Sequence, residues 1–286
     1  MLGFELSDPA TLDEALELLA DGDPGVRPMG GGTALMLMMK AQIFKPERLV
    51  SLRNVGGCFD GLSIDADQSH IRIGGMTTFA EIERSPMVLQ HLPAVVRTMK
   101  TLANVRVRHV ASVGGNLAHA DPHLDLPPVW MAHAARVRIV SKSGERAIPV
   151  EELFAGYYET TLRGGELIAE VIVPVRPEWT STYVKVTTRA AHDWPALGIA
   201  VSANLQGQRV NDLRLVLSAA LDRPTRLVAA ENELRGSELN GATLKRAGEA
   251  AVAEVDIHSD SRGSTAYKQH LLRVHLSRAM HSLVGA

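Results

Sequence analysis

The chain has 286 residues, 45% hydrophobic and 22% charged, with a formal net charge of −2. With no basic excess and only 4% aromatic residues, it lacks the cationic face and stacking platforms of a nucleic-acid binder, and nothing favours an anionic membrane surface. Its one cysteine, Cys58, excludes an internal disulfide and any zinc or iron–sulfur centre needing four cysteines from this chain. No apolar run reaches the length of a membrane-spanning helix. The first twenty residues read as an acidic helix rather than a signal peptide, so a cytoplasmic protein is expected.

Asp8-Pro9 supplies an N-terminal signal, and Leu12, Leu16 and Leu19 recur at helical spacing. An opening amphipathic helix is therefore expected. "VRPM" then reads as a strand, followed by a triple glycine and an apolar stretch. "RLVSLRNV" and "HIRIGGMTTFAEIERSP" read as strand, turn and helix. "LPAVVRTMKTLANVRVRHV" reads as one helix running into a short apolar strand at residues 110–113. "ARVRIVSKSGERAIPVEEL" is a hairpin turning at Ser143-Gly144, and "ELIAEVIVPV" is a further strand. A linker is expected near residues 176–180. Beyond it, alternating residues predict antiparallel strands with a turn at Gln206-Gly207. Three helical patterns follow, which together suggest an α+β unit.

Two glycine-rich loops stand about eighty residues apart: Gly30-Gly31-Gly32-Thr33 and Ser112-Val113-Gly114-Gly115-Asn116. Neither fits the Rossmann G-x-G-x-x-G or the P-loop pattern. Without Cβ atoms, successive N–H groups can point at one phosphate oxygen, and Thr33, Ser112 and Asn116 add side-chain donors. Two such loops can grip the two phosphates of a dinucleotide. The plainer alternative is a pair of tight turns.

His119, Asp121, His123 and Asp125 alternate in the stretch that follows the second loop. On a strand they would share a face and could ligate zinc or iron, although Pro122 interrupts a strand there. Asp125 can instead accept from a ribose hydroxyl, or cap the helix that begins with Leu126, Pro127 and Pro128. A Ser112/His119/Asp121 triad can be written, but it lacks G-x-S-x-G. Tyr183, Lys185, Arg189, Asp193 and Trp194 form another cluster. A cation beside a flavin's pyrimidine ring tunes it, and an aromatic side chain controls access. The alternative is a strand with an exposed basic face. Cys58 reads as a buried small residue or loop thiol, and His258, His270 and His275 as surface residues.

Taken jointly, these motifs resemble the FAD-binding medium subunit of molybdenum hydroxylases, the flavoprotein of the aerobic carbon monoxide dehydrogenase and xanthine dehydrogenase type. The resemblance runs over essentially the whole chain. Residues 30–35 match the family's A-G-G-T/H/S-x-L loop, with Gly30 where Ala is usual. Residues 112–116 match its T/S-I/L-G-G-N loop, and "LAHADPHLDLPP" and "YVKVTTRAAHDW" match its later motifs. His109 stands where the family often has Asn, and the single cysteine excludes the iron–sulfur insertion that some relatives carry.

The resemblance implies an FAD-binding domain of vanillyl-alcohol-oxidase (PCMH) type over residues 1–176, in two subdomains split near residues 55–60. A C-terminal α+β domain with an antiparallel sheet and helices would follow over residues 177–286. It implies that Gly30, Gly31, Gly32, Thr33 and Ala34, with Ser112, Val113, Gly114, Gly115 and Asn116, hold the FAD pyrophosphate. Asp125 would contact the ribitol or ribose, Leu167 and Ile168 would pack near the isoalloxazine, Lys185 would stand at its pyrimidine edge and Trp194 near the ring. It further implies a large molybdenum-cofactor subunit and a small iron–sulfur subunit as partners, in a dimer of heterotrimers, and electron transfer from 2Fe–2S clusters through FAD to NAD, a quinone or oxygen. No residue of this chain is then catalytic on the substrate and none binds metal. The rival readings are a stand-alone flavin oxidase, a non-catalytic nucleotide-binding subunit and, more distantly, a metal-dependent hydrolase.

Overall fold

Short apolar runs near the start of the chain pair side by side as parallel strands, each joined to the next by a helix. The structure, a computed structural model, describes residues 3–284. The expectation for the Cys58 thiol lies outside the described side chains. Strands β1 (Glu5–Ser7), β2 (Val26–Met29) and β3 (Arg48–Ser51) form a parallel sheet in the order β1-β3-β2. Parallel neighbours require crossovers, supplied by α1 (Leu12–Leu19) and α2 (Leu35–Lys40). Helix α1 is capped by Thr11, whose hydroxyl accepts the Glu14 N–H. The Asp8 carboxylate, the expected start signal, accepts from Asn54 instead.

The next segment carries β4 (Leu62–Ile64) and β5 (His70–Gly74), then α3 (Phe79–Arg84), α4 (Pro86–His91), α5 (Pro93–Met99), α6 (Val105–Arg108), α7 (Val113–His119) and α8 (Leu126–Ala132). The hairpin β6 (Arg136–Ser141) and β7 (Gly144–Pro149), the small pair β8 (Phe154–Gly156) and β9 (Glu159–Thr160), and β10 (Leu167–Pro174) follow. Five of these strands make an antiparallel sheet in the order β4-β5-β10-β6-β7. Its buried residues Ile71, Ile73, Val137, Ile139 and Val171 pack against the helices. Every residue of α8 is buried, and Trp130 is completely enclosed. Truncating such a side chain to Ala costs about 3–5 kcal/mol.

Two expectations fail in this segment. The helix expected over residues 93–110 breaks into α5 and α6, because Ala103 turns the chain at φ +46° and the Asn104 side chain caps a new helix at Arg106 and Val107. The apolar strand expected at 110–113 does not form. Ser112 makes one bridge to Thr78, and α7 begins at once.

The last part is β11 (Trp179–Val186), β12 (Leu197–Gln206), β13 (Arg209–Ser218) and β14 (Thr225–Arg226) in one antiparallel sheet, followed by α9 (Val228–Leu234), α10 (Gly241–Ala253) and α11 (Thr265–Leu283). Alternate residues of β12 and β13, such as Ile199, Val201, Leu213 and Leu215, meet Leu244, Leu272 and Leu276 of the helices in one core. Three arginines cross the seam with the earlier segment. Arg97 donates to the Ser181 carbonyl (2.6 Å), Arg214 to that of Met131 (2.9 Å) and Arg223 to that of Phe154 (2.7 Å). Among the described residues no helix is long and apolar enough to cross a membrane.

Candidate functional site

A cavity of about 590 Å³ opens where the loop after β2 meets the start of α7, a volume typical of small-molecule sites. Gly30, Gly31, Gly32, Thr33 and Ala34 line it, as do Ser112, Gly115 and Asn116. The two loops touch. A Cβ on Gly31 would lie 1.6 Å from the Val110 carbonyl oxygen, and one on Gly30 would lie 2.5 Å from Ser112 Oγ. Gly32 has φ +68°, which a residue with a Cβ adopts only at a cost. The N–H groups of Gly31, Gly32, Thr33 and Ala34 have no hydrogen-bond partner among the described residues. A run of free amides on a concave wall is the arrangement that binds oxyanions.

The second loop is built differently. The Val113 N–H donates to Thr77 O (3.1 Å), Gly114 to Gly75 O (2.7 Å) and Gly115 to Ser112 Oγ (3.3 Å). Val113 is fully buried and Gly114 is enclosed, and neither lines the cavity. A Cβ on Gly114 would press on the Gly75 oxygen at 2.9 Å and on that of Ile168 at 3.1 Å, so this glycine seats α7 on the sheet. The loop still offers the cavity the Asn116 Oδ1, which is buried and unpartnered. Leu167 and Ile168 are buried in the core behind this wall and do not line the cavity.

Across the cavity, α8 and β11 bring Asp125 and Lys185 together at 2.9 Å, each side chain only 7% exposed. Tyr183 donates its hydroxyl to the other Asp125 oxygen (2.8 Å), and Lys185 also donates to the Thr101 carbonyl (3.1 Å). Burial pushes the Asp125 carboxyl above the ordinary carboxylate range, with the Lys185 ammonium and the two hydrogen bonds pulling against it. Asp125 holds the N-cap position of α8 but makes no capping hydrogen bond, so the helix-cap alternative fails. The exposed-basic-strand alternative fails for Lys185 too. Arg189 is exposed but lies in a bend beyond the end of β11, and the Asp193 carboxylate accepts from the Ala190 N–H.

The His/Asp alternation does not present one face. Asp121 accepts from the His123 backbone N–H (2.9 Å), from His123 Nδ1 (3.1 Å) and from the Tyr158 hydroxyl (2.8 Å). Burial pushes the Asp121 carboxyl up, but these bonds outweigh it and hold it below its usual range. Burial also holds the His119 ring below the ordinary histidine value, with Asp121 opposing. Tyr158 lies edge-on to His119 at 5.2 Å, and its hydroxyl is pushed up by burial and by Asp121. Ser112 caps α7 and Asp121 turns away to His123, so no Ser112/His119/Asp121 triad is assembled. Among the described residues no three His, Cys, Asp or Glu side chains gather as a metal site. Trp194 lines the cavity while 51% exposed. His258 and His270 are exposed, and His275 is half-buried.

Sequence reasoning passed over two further glycine pairs. Gly74 and Gly75 lie where β5, β10 and α7 converge, and a Cβ on Gly75 would stand 2.2 Å from the Ile168 carbonyl oxygen. Gly164 and Gly165 line the cavity, with Gly164 packed on Gly22. Both doublets are visible as "IGG" and "RGG". Beside the second, Glu166 takes two 2.8 Å hydrogen bonds from Arg146, which hold its carboxyl below the usual range. At the cavity wall Arg27 lies over the Phe44 ring at 5.3 Å.

Residues 2–176 match the family model described as "FAD binding domain in molybdopterin dehydrogenase", and residues 182–283 match "CO dehydrogenase flavoprotein C-terminal domain". The chain is 30% identical to the nicotine 6-hydroxylase medium subunit of Paenarthrobacter nicotinovorans, covering 96% of this chain and 95% of the relative. It is 28% identical to the carbon monoxide dehydrogenase medium chain of Hydrogenophaga pseudoflava, covering 98% and 96%. Among solved structures it superposes on a chain of the reconstituted CO dehydrogenase from Oligotropha carboxidovorans with TM-score 0.93 at 27% identity, covering 98% and 97%. It also superposes on one of quinoline 2-oxidoreductase from Pseudomonas putida 86 with TM-score 0.91 at 27% identity, covering 99% and 97%.

Proposed function

Because the chain belongs to the family of FAD-binding flavoproteins of molybdopterin dehydrogenases, we propose that it serves as the electron-transferring subunit of a molybdenum hydroxylase complex. It is an FAD-binding oxidoreductase chain whose FAD-binding part is of vanillyl-alcohol-oxidase (PCMH) type and whose C-terminal part is an α+β unit. We place the division between these parts after residue 176, with the split inside the first near residues 55–60.

The residues present fit FAD. The observation that carries the reading is the row of unpartnered N–H groups at Gly31, Gly32, Thr33 and Ala34, on a wall where a Cβ at Gly31 has no room. These groups would hold the pyrophosphate together with Gly30, Ser112, Gly115 and the buried Asn116 side chain. Val113 and Gly114 would act from behind by fixing α7, and Leu167 and Ile168, buried behind the same loop, would act through the core and not by contact with the cavity. Asp125 holds Lys185 in place, and the Lys185 ammonium sets a positive charge at the pyrimidine edge. Trp194 limits access from solvent.

The chemistry FAD supplies when bound is a relay of electrons from the 2Fe–2S clusters of a small subunit to an external NAD, quinone or oxygen. Substrate oxidation then belongs to a large molybdenum subunit, and the whole would assemble in the cytoplasm as a dimer of heterotrimers. Relatives named for carbon monoxide, nicotine and quinoline are similarly distant from this chain, which fits a substrate site on another subunit. The test is a visible absorption spectrum of the purified chain after mixing with FAD and desalting. A retained flavin spectrum is expected. A folded chain that keeps no FAD would end the reading, and turnover of a small molecule by this chain alone would favour a stand-alone oxidase.

A further inference from the structure

In the alternating His/Asp motif the His123 side chain is 11% exposed, and it hydrogen-bonds through one ring nitrogen while its Nε2 has no hydrogen-bond partner. His123 stacks on Trp194 with ring centroids 5.1 Å apart and planes 18° from parallel. Its Nδ1 faces Asp121 at 3.1 Å, and its Nε2 faces Asp260 at 3.7 Å. Asp260 belongs to the segment before α11 and is itself fixed, since it pairs with Lys268, only 1% exposed, at 3.0 Å and accepts the Arg262 N–H at 2.8 Å. The Arg262 guanidinium stands 5.4 Å from the centre of the Trp194 ring.

Trp194 itself is held by this stacking and by the Arg262 guanidinium. It sits half-exposed in the connection between β11 and β12, where the Asp193 N–H bond to the Ala190 carbonyl is a turn within the connection itself. A large aromatic ring on such a connection moves unless something packs on it. Stacking on the imidazole supplies that packing.

We infer that His123 is a positioning residue for Trp194: hydrogen-bonded to Asp121 from the first part of the chain, with its Nε2 turned toward Asp260 of the last at 3.7 Å, it fixes where the indole stands at the mouth of the cavity. Lys185 near the end of β11 and Trp194 in the connection that follows both face the cavity, Lys185 held by Asp125 and Trp194 stacked on His123. Each is set by a residue of the same motif, LAHADPHLDLPP. Access to the cavity, and hence to FAD on the reading above, becomes a property of both parts of the chain together.

The stacking can be tested without flavin. Trp194 is one of three tryptophans, and its share of the fluorescence is the difference between the unaltered chain and Trp194→Phe. In His123→Ala that share is expected to shift to the red and to lose its protection from acrylamide. His123→Phe, which restores a flat ring, is expected to recover both. Asp260→Asn leaves the imidazole in place and is expected to loosen Trp194 less, in the same direction; it decides the matter if the alanine variant does not fold. With FAD bound, iodide should quench the flavin of His123→Ala more strongly than that of His123→Phe. Trp194 fluorescence and acrylamide access unchanged in His123→Ala, or no recovery in His123→Phe, would overturn the inference. Failure of the unaltered chain to bind FAD would instead end the flavin reading and leave the stacking result standing.

Discussion

The two walls of the cavity are built on opposite plans. On the wall formed by residues 30–34, backbone N–H groups are left without partners and side chains are nearly absent. On another wall, Asp125, Lys185, His123 and Tyr158 line the cavity and are held at 2.8–3.1 Å by one another or by Tyr183 and Asp121 behind them. An unpaired half-buried amide costs stability, so the first wall is incomplete without an anion. The second is mostly paired before any ligand arrives, although His123 Nε2 has no hydrogen-bond partner, and what it offers is fixed charge and shape. The glycines obey the same division. Gly31 allows close approach beside the cavity, whereas Gly114, whose N–H is already bonded, allows a helix to sit on a sheet.

The sharpest way to break the open wall is Gly31→Ala. Its Cβ would fall 1.6 Å from a backbone oxygen, so the loop must move as a whole. Loss of bound FAD after desalting is expected, with about 4 kcal/mol or more of stability lost in urea unfolding. Next is the paired wall. Lys185→Ala leaves Asp125 buried without its cation, for which about 3 kcal/mol of destabilisation is expected. The midpoint potential of bound FAD should fall, because a positive charge favouring the reduced form is removed. An unchanged potential would take Lys185 away from the flavin.

Gly114→Ala sharpens the contrast between the two loops. Its Cβ would meet two carbonyl oxygens at 2.9 and 3.1 Å, which overpacks the site by about 1–3 kcal/mol. FAD affinity measured well below the melting temperature should change less than in Gly31→Ala. Equal losses of affinity would mean that both loops serve the ligand alike.

The smallest effect concerns His119. Its native pKa is held below the ordinary 6.5, first by burial. The unfolded chain therefore binds the proton more readily, and the stabilising term is complete above 6.5 and lost as pH falls from there toward the lowered native value. Stability measured by urea unfolding should decline over that window, and less steeply in His119→Gln.

Much of the architecture was legible because its signals are periodic. Leu12, Leu16 and Leu19 give α1, the alternation in 197–206 and 209–218 gives β12 and β13, and Ser143-Gly144 marks the β6–β7 hairpin. The break at Ala103 was not legible, since only tertiary context holds an alanine at positive φ. At the site, residue type pointed to both glycine loops and to Lys185. It could not separate glycines that face a ligand from those that face a neighbouring backbone, because both need only the missing Cβ. Nor could it pair Asp125 with Lys185 or His123 with Asp260, whose contacts span 60 and 137 positions.

The three arginines that cross the seam each reach a main-chain carbonyl, at Met131, Phe154 and Ser181, and Arg214 also reaches the Glu151 carboxylate. A carbonyl is present whatever the residue, so apart from the one to Glu151 these crossings ask nothing of the side chains that receive them. Mutational drift at the three accepting positions is free of this constraint, while Arg97, Arg214 and Arg223 have no equivalent substitutes of the same reach and fork. In a lineage of such chains the donors should therefore be held by the contact itself and the acceptors only by their own burial, although the two sides share one hydrogen bond.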